Sequence, residues 1–212
     1  MQNNIFLKQI PLGPMKNLSY FIGDKNSKKI AIVDPAWNVP SLIKEANDEN
    51  LNIIGILLTH GHEDHVNGVE ELLQTYNVPV YINEPDARFF RLNYETIHKT
   101  KDKEEIAIGD IKIKYLLTPG HTPGSQCFHI DNILITGDVL FVNGCGRCDL
   151  PGGNAETMYD TLFNKILKLP DSTIIYPGHQ YHPLISDTLE NQKRTNPFLL
   201  SCTKKEFLQS RI

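Results

Sequence analysis

Apolar positions along the first third of the chain fall into short runs broken by turn formers. Residues 5–10 and 18–22 read as strands, separated by Pro11, Gly13 and Pro14. A third strand covers 29–33 and stops at Asp34-Pro35, with a hairpin turn over 24–28 before it. Residues 41–47 form a helix that has Pro40 or Ser41 near its start. The unbroken run Ile53-Ile54-Gly55-Ile56-Leu57-Leu58 reads as a buried strand, and the spacing from Val66 to Tyr76 is helical. Residues 78–82 form a short strand, where Pro79 points to an edge or a strand start. Residues 84–92 form a short helix carrying Phe89-Phe90, and the charged stretch 98–105 reads as an exposed loop.

The second half repeats this order. Residues 111–117 alternate as a half-buried strand, and 126–130 and 132–136 are two more, joined by a tight turn at Asp131-Asn132. A helix over 157–169 puts Met158, Leu162, Ile166 and Leu169 on one face, and 173–176 is the last strand. Lys193-Arg194 falls on a short terminal helix with a solvated face. Strands followed by helices, twice over, predict an α/β layered fold with two βα halves facing each other. The length of 212 residues suits one domain, 1–212, in which 183–212 is a short C-terminal appendage.

Charge and cysteine content narrow the classes. A formal charge of -4 argues against a generic binder of nucleic-acid backbones. The polar start Gln2-Asn3-Asn4 has no basic region or long apolar run after it, and no window reaches membrane-spanning length, so a cytoplasmic protein without membrane attachment is expected. Cys127, Cys145, Cys148 and Cys202 show no secreted disulfide pattern, which agrees with a reducing compartment. The Cys145-x-x-Cys148 pair lacks a second half and reads as structural or incidental.

The chemistry is concentrated at Thr59-His60-Gly61-His62-Glu63-Asp64-His65, where the central strand ends. Neutral imidazole and carboxylate are the donors that zinc, iron and manganese accept. His60 and His62 can point to one side of the turn, while Asp64 and His65 open the next helix and point elsewhere, so one loop can serve two adjacent metal positions. A histidine-rich surface loop is the bland alternative, but an unliganded loop gains nothing from crowding these groups. His121, Asp138 and His179 each follow an apolar strand and lie beside glycine or proline. Together they make five histidines and two aspartates, enough for two divalent ions, zinc first and iron or manganese next.

This set resembles the metallo-β-lactamase superfamily with its H-x-H-x-D-H motif. The resemblance implies a four-layer αββα sandwich. It implies His60, His62 and His121 as ligands of one metal, Asp64, His65 and His179 as ligands of a second, and Asp138 as the bridge. Gly137-Asp138-Val139-Leu140-Phe141, Gly144-Cys145-Gly146-Arg147 and Thr118-Pro119-Gly120-His121-Thr122-Pro123-Gly124-Ser125 look like the glyoxalase II (hydroxyacylglutathione hydrolase) and persulfide dioxygenase branch. Only about thirty residues follow His179 in this sequence, whereas two-domain glyoxalase II carries a helical C-terminal region that helps hold glutathione. Cys148-Asp149-Leu150-Pro151-Gly152-Gly153 replaces its usual aromatic and glutamate. The chain therefore looks like the short single-domain type, a form shared with acyl-thioester hydrolases of polyketide assembly lines.

The implied function is a dinuclear metal-dependent hydrolase of acyl thioesters on glutathione, CoA or an acyl carrier protein. Asp64 is a metal ligand or a proton acceptor for the attacking water. Arg147 meets a substrate carboxylate or phosphate, or forms a surface ion pair. Tyr181 lines the substrate pocket or packs at its rim. Tyr81, Tyr115 and Tyr176 are read as core or rim packing, and His98, His129 and His182 lie outside the motif. The alternative is a mononuclear iron persulfide dioxygenase using His60, His121 and Asp138. Glu63 argues against it, because those enzymes tend to have alanine there. A non-catalytic metal-binding protein is the third reading. Residues 197–200 are expected to cover a sheet edge or meet a second subunit.

Overall fold

The computed structural model describes residues 4–200 and 203–211; Met1 to Asn3 and Cys202 lie outside the described residues. Strands β1 (Ile5–Leu12), β2 (Asn17–Asp24), β3 (Lys29–Val33), β4 (Asn52–Leu57), β5 (Val80–Asn83) and β6 (Ile97–Thr100) form one sheet in chain order. A second six-stranded sheet has the order β14-β13-β10-β9-β8-β7. Its strands are β7 (Glu105–Ile108), β8 (Ile111–Leu117), β9 (Gln126–Ile130), β10 (Ile133–Gly137), β13 (Ile174–Pro177) and β14 (Asp187–Thr188). The pair β11 (Leu140–Phe141) and β12 (Gly144–Cys145) stands apart.

Three apolar clusters separate four layers. The middle one packs Tyr20, Ile22, Ala31, Val33 and Leu57 of the first sheet against Ile113, Tyr115, Phe128 and Ile135 of the second. Alternation along β2 sends Phe21 the other way, into a cluster with Val39 and Leu42 of helix α1 (Val39–Asp48). The third cluster sets Leu134 and Ile175 against Met158 and Leu162 of α5 (Ala155–Asn164). The fold is thus an αββα sandwich, as the resemblance implied.

Several elements differ from the pattern-based reading, each for a local reason. β1 continues through Pro11, which pairs with Leu18; an edge strand tolerates the missing N–H. The helix expected over 66–76 is two, α2 (Glu63–Val66) and α3 (Val69–Thr75). They break where Gly68 N–H donates to Pro35 O at 3.1 Å, an approach so close that a Cβ would meet that oxygen at 2.8 Å. Pro79 precedes β5, which is an interior strand and not an edge; the Pro79 carbonyl accepts from Ile56 N. The loop expected over 98–105 holds most of β6 and the start of β7, the edge strands of the two sheets. Their charged residues are the usual protection of an edge against further pairing. Helix α4 (Glu84–Phe89) is shorter than 84–92, and α5 stops at Asn164 before a 3-10 turn over Ile166–Lys168.

The segment expected as an appendage is built into the body. It supplies β14, α6 (Leu189–Thr195) and α7 (Lys204–Gln209), and it buries Leu189, Leu199 and Phe207 in the third cluster. Lys193 pairs with Asp171 across the surface, and Arg194 pairs with Glu190 on its own helix.

Both sheets point strand ends at the same edge of the sandwich. β4 exits into the histidine loop, the β8–β9 turn carries His121, β10 exits into Asp138, and parallel β13 exits into His179. Buried Gln126 ties the two sheets there, donating from its backbone to Thr59 O and from its side chain to Leu58 O, both at 2.8 Å. Phe207→Ala should lower unfolding free energy by about 3–5 kcal/mol through the cavity it leaves. Chemical denaturation reads this, and a loss below about 1 kcal/mol would mean that α7 is not part of the cooperative core.

Candidate metal centre

The loop after β4 is held from beneath by Asp34, which ends β3 in the left-handed region at φ 48°. Asp34 accepts from Thr59 N at 2.7 Å and from the Thr59 hydroxyl at 2.6 Å. Since the Thr59 proton goes to Asp34, the hydroxyl oxygen accepts from His60 Nδ1–H at 3.0 Å. His65 Nδ1 donates at 3.0 Å to Asp34 Oδ2, the oxygen that also accepts the Thr59 hydroxyl. His121 Nδ1 donates to Arg147 O at 2.8 Å, and His179 Nδ1 to Met15 O at 2.9 Å. Four imidazoles thereby have their protons committed outward and turn Nε2 inward, the arrangement that outer hydrogen bonds impose on metal-binding histidines.

The inward atoms fall into two groups, within each of which every donor lies within 4.8 Å of the others. One is His60, His62 and His121; the other is Asp64, His65 and His179. Asp138 stands between them, with Oδ2 3.6 Å from His121 Nε2 and 3.3 Å from His179 Nε2, and Oδ1 3.5 Å from His65 Nε2. Asp34, His60 and His65 also lie close together. Asp34 already accepts from Thr59 and His65, so it orients the donors and adds no third position.

The donors fit divalent ions on their own geometry. His60 Nε2 and Asp138 Oδ1 are buried without a hydrogen-bond partner. His121 Nε2 faces His62 Nδ1 at 2.9 Å, and His65 Nε2 faces His179 Nε2 at 3.1 Å. Facing nitrogen lone pairs need a shared proton or cation between them. Burial and the neighbouring His65 hold His60 well below its ordinary pKa, and burial with His121 brings His62 down to about 4, so both are neutral donors. Burial alone would lower His65, but Asp138, Asp34 and Asp64 outweigh it and push it up to about 9. Asp138 stays ionised: burial would raise its carboxyl, but His65, His179 and His60 hold it well below the carboxylate range. Gly178 makes the closeness possible, since a Cβ there would meet Asp138 Oδ1 at 2.4 Å.

A cavity of about 390 Å³ opens over these donors, lined also by Met15, Glu63, Phe141, Arg147, Leu150 and Tyr181. Tyr181 stacks on the His179 ring at 4.9 Å and packs edge-on to Phe141 at 5.2 Å. Burial, with Asp138 and Asp64, pushes its phenol up to about 12, so it remains a proton donor. The Arg147 guanidinium is already held by Asp149 at 2.7 and 2.6 Å in an exposed pair. A second cleft of about 350 Å³ beside Glu63 and Tyr94 contains no donor of either group.

The profile of the metallo-β-lactamase superfamily matches residues 12–179. The chain belongs to that superfamily. It is 31% identical over 195 residues to the probable polyketide biosynthesis zinc-dependent hydrolase BaeB of Bacillus velezensis, covering 92% of this chain and 87% of that protein. ETHE1 from Myxococcus xanthus superposes with a TM-score of 0.87 at 26% identity, over 96% of this chain and 88% of that one. TTHA1623 in a di-iron-bound form gives 0.77 at 29% identity, over 91% and 100%. The metallo-β-lactamase fold thus brings together all seven residues picked out by their strand-end positions.

Residues outside the motif lie elsewhere. His98 stacks on Tyr81, His129 is on β9, and His182 accepts from Leu184 N. Tyr115 packs between the sheets, with Tyr81 and Tyr176 half-buried against the same cluster. Cys145 and Cys148 are buried thiols pushed up by burial to about 12 and about 11, and Arg211 donates to Cys145 Sγ at 3.1 Å. Leu199 is buried in the third cluster, with Phe198 packed against it. Among the described residues no helix is long and apolar enough to cross a membrane.

Pattern reading missed Asp34 and Asn17. Asn17 donates to Asp64 Oδ2 at 2.9 Å and accepts from Trp37 Nε1 at 2.9 Å. Asp34 had a signal, an acidic residue closing an apolar strand; Asn17 had none. Asp34→Asn should weaken metal affinity about 10–100-fold, read by chelator competition. With His65 near 9, metal and proton compete for the second group. Zinc binding at pH 7 should release a proton, and apparent affinity should rise with pH until about 9. Calorimetry in buffers of different ionisation heat tests this; no proton release at pH 7 would contradict it.

Proposed function

We propose that the chain is a dinuclear metal-dependent hydrolase of acyl thioesters, using His60, His62 and His121 for one ion, Asp64, His65 and His179 for the other, and Asp138 between them. The observation that carries the reading is the pair of three-donor groups, with the partnerless Asp138 Oδ1 between them, under one open cavity. Two ions there, zinc by preference and iron or manganese otherwise, would supply Lewis acidity and a water ionised near neutral pH. The zinc-dependent relative from Bacillus velezensis supports the first choice, and the di-iron neighbour shows that this fold also accepts iron.

The protein's own groups set the rest. Met15, Phe141 and Leu150 offer an apolar wall for an acyl chain. Tyr181 presents a protonated phenol at the rim, placed to donate to a substrate oxygen. A thiolate leaves with little need of protonation, which matches a cavity without a separate buried general acid. Asn17 fixes the Asp64 carboxylate by donating to it, which favours Asp64 as a ligand over Asp64 as a mobile proton acceptor. Arg147 can meet an anionic group on the thiol carrier, whether glutathione, CoA or a carrier protein, once Asp149 yields it. The free buried Cys127, Cys145 and Cys148 suit a reducing, cytoplasmic setting, with no nucleic-acid or membrane partner.

The alternative is a mononuclear iron persulfide dioxygenase on His60, His121 and Asp138, in which the second group is retained without holding an ion. His60→Ala and Asp138→Ala should each cut thioester hydrolysis by more than about a hundredfold, beyond the loss typical of an outer partner. Chelation should abolish turnover and added zinc restore it. Full activity in either variant would overturn the proposal. Oxygen uptake with glutathione persulfide, with no thioester turnover, would replace it with the dioxygenase.

A further inference from the structure

Helix α4 lies against the histidine loop, and no residue on it is a metal donor. Asp86, on its inner face, is fully buried. It has no cation partner, and both its oxygens are used on loops of the first metal group. Oδ2 accepts from Gly61 N at 2.9 Å, between His60 and His62, and from the Thr122 hydroxyl at 2.7 Å, next to His121. Oδ1 accepts from Gly124 N at 2.5 Å. Gly124 has to be glycine, because a Cβ would meet Asp86 N at 2.5 Å. One helical turn on, Phe90 packs edge-on to His62 at 5.2 Å and covers Gly61, where a Cβ would meet its ring at 2.4 Å. The two loops come from different sheets, β4 of the first and the β8–β9 turn of the second. Nothing comparable joins Asp86 to the Asp64, His65 and His179 group.

We propose that Asp86 is a positioning residue for the first metal group, clamping the His60–His62 loop to the His121 loop so that their three nitrogens converge before an ion arrives. The inference rests on the reading of these residues as a two-metal centre. Three donors converge on two carboxylate oxygens. Asparagine can satisfy one side only and turns an N–H toward a donor on the other. The clamp then opens on one loop while α4 keeps its apolar packing. The second group, held by Asp34, Asn17 and Met15 O, is not touched.

The test is metal competition with a chromophoric chelator, and cobalt(II) absorption spectra, on the wild-type chain, Asp86→Asn, Thr122→Ala and Asp24→Asn. His62→Ala marks which affinity class belongs to the first group. Asp24 is a matched control: it is equally buried and accepts from Asn4, Ser27 and Asn26 N in a turn remote from the centre. Asp86→Asn should weaken the class lost in His62→Ala about 10–100-fold, shift its cobalt bands, and leave the other class unchanged. Thr122→Ala, with one bond removed, should move the same class in the same direction by less. Asp24→Asn should lower stability without changing either class. Equal weakening of both classes in Asp86→Asn, or unchanged binding with a stability loss like that of Asp24→Asn, would overturn the proposal. A wild-type chain with fewer than two classes would instead overturn the two-metal reading on which it rests.

Discussion

Nitrogen lone pairs buried face to face are unfavourable without something positive between them, and the architecture keeps four imidazoles in that state. In the facing pairs His62–His121 and His65–His179, the Nδ1–H groups of His65, His121 and His179 are anchored outward to Asp34, Arg147 O and Met15 O, so rotation of those rings cannot relieve the crowding. Asp138 adds a buried anionic oxygen without a hydrogen-bond partner. A proton on His65 relieves part of this crowding, and divalent cations between the donors would relieve it more fully.

Holding such a centre requires a scaffold that does not yield. The middle apolar cluster fixes the two sheets against each other, and Gln126 locks them at the site end with bonds to Leu58 O and Thr59 O. Loops from β4, the β8–β9 turn, β10 and β13 then meet over a short distance. Glycines at 124 and 178 remove the side chains that would otherwise hold those loops apart. The C-terminal helices finish the outer layer of the second sheet, which carries three of the seven donors.

Asp34 and Asp86 divide the support of the centre between them. Asp34 reaches the rings of His60, through Thr59, and His65, and so sets tautomers. Asp86 reaches the backbone around His60, His62 and His121 and so sets loop positions. Each is a buried carboxylate with all its acceptors used locally, which separates them from Asp138, whose free oxygen faces the donors. The mouth of the cavity is less constrained. The Arg147–Asp149 pair and the half-exposed Tyr181 lie at the solvent rim, where the cost of rearrangement is small.

Local signals were enough for the candidate donor residues and most strands. His60 to His65 crowd donor chemistry into one turn after an apolar run, and His121, Asp138 and His179 repeat the strand-then-glycine context. Elements whose form depends on distant neighbours were not legible. The chain breaks at Gly68 because the Pro35 carbonyl comes within hydrogen-bond reach, and 97–108 becomes two edge strands only because two sheets are there to extend. Asn17, Asp34 and Asp86 gained their roles the same way, from partners 25 to 47 residues off. Sequence by itself determined which donors exist and that they sit at strand ends. Tertiary structure decided which nitrogen of each ring faces inward, which donors share a group, and what holds them. Those properties are fixed by hydrogen bonds between segments that only the packing of the two sheets brings together.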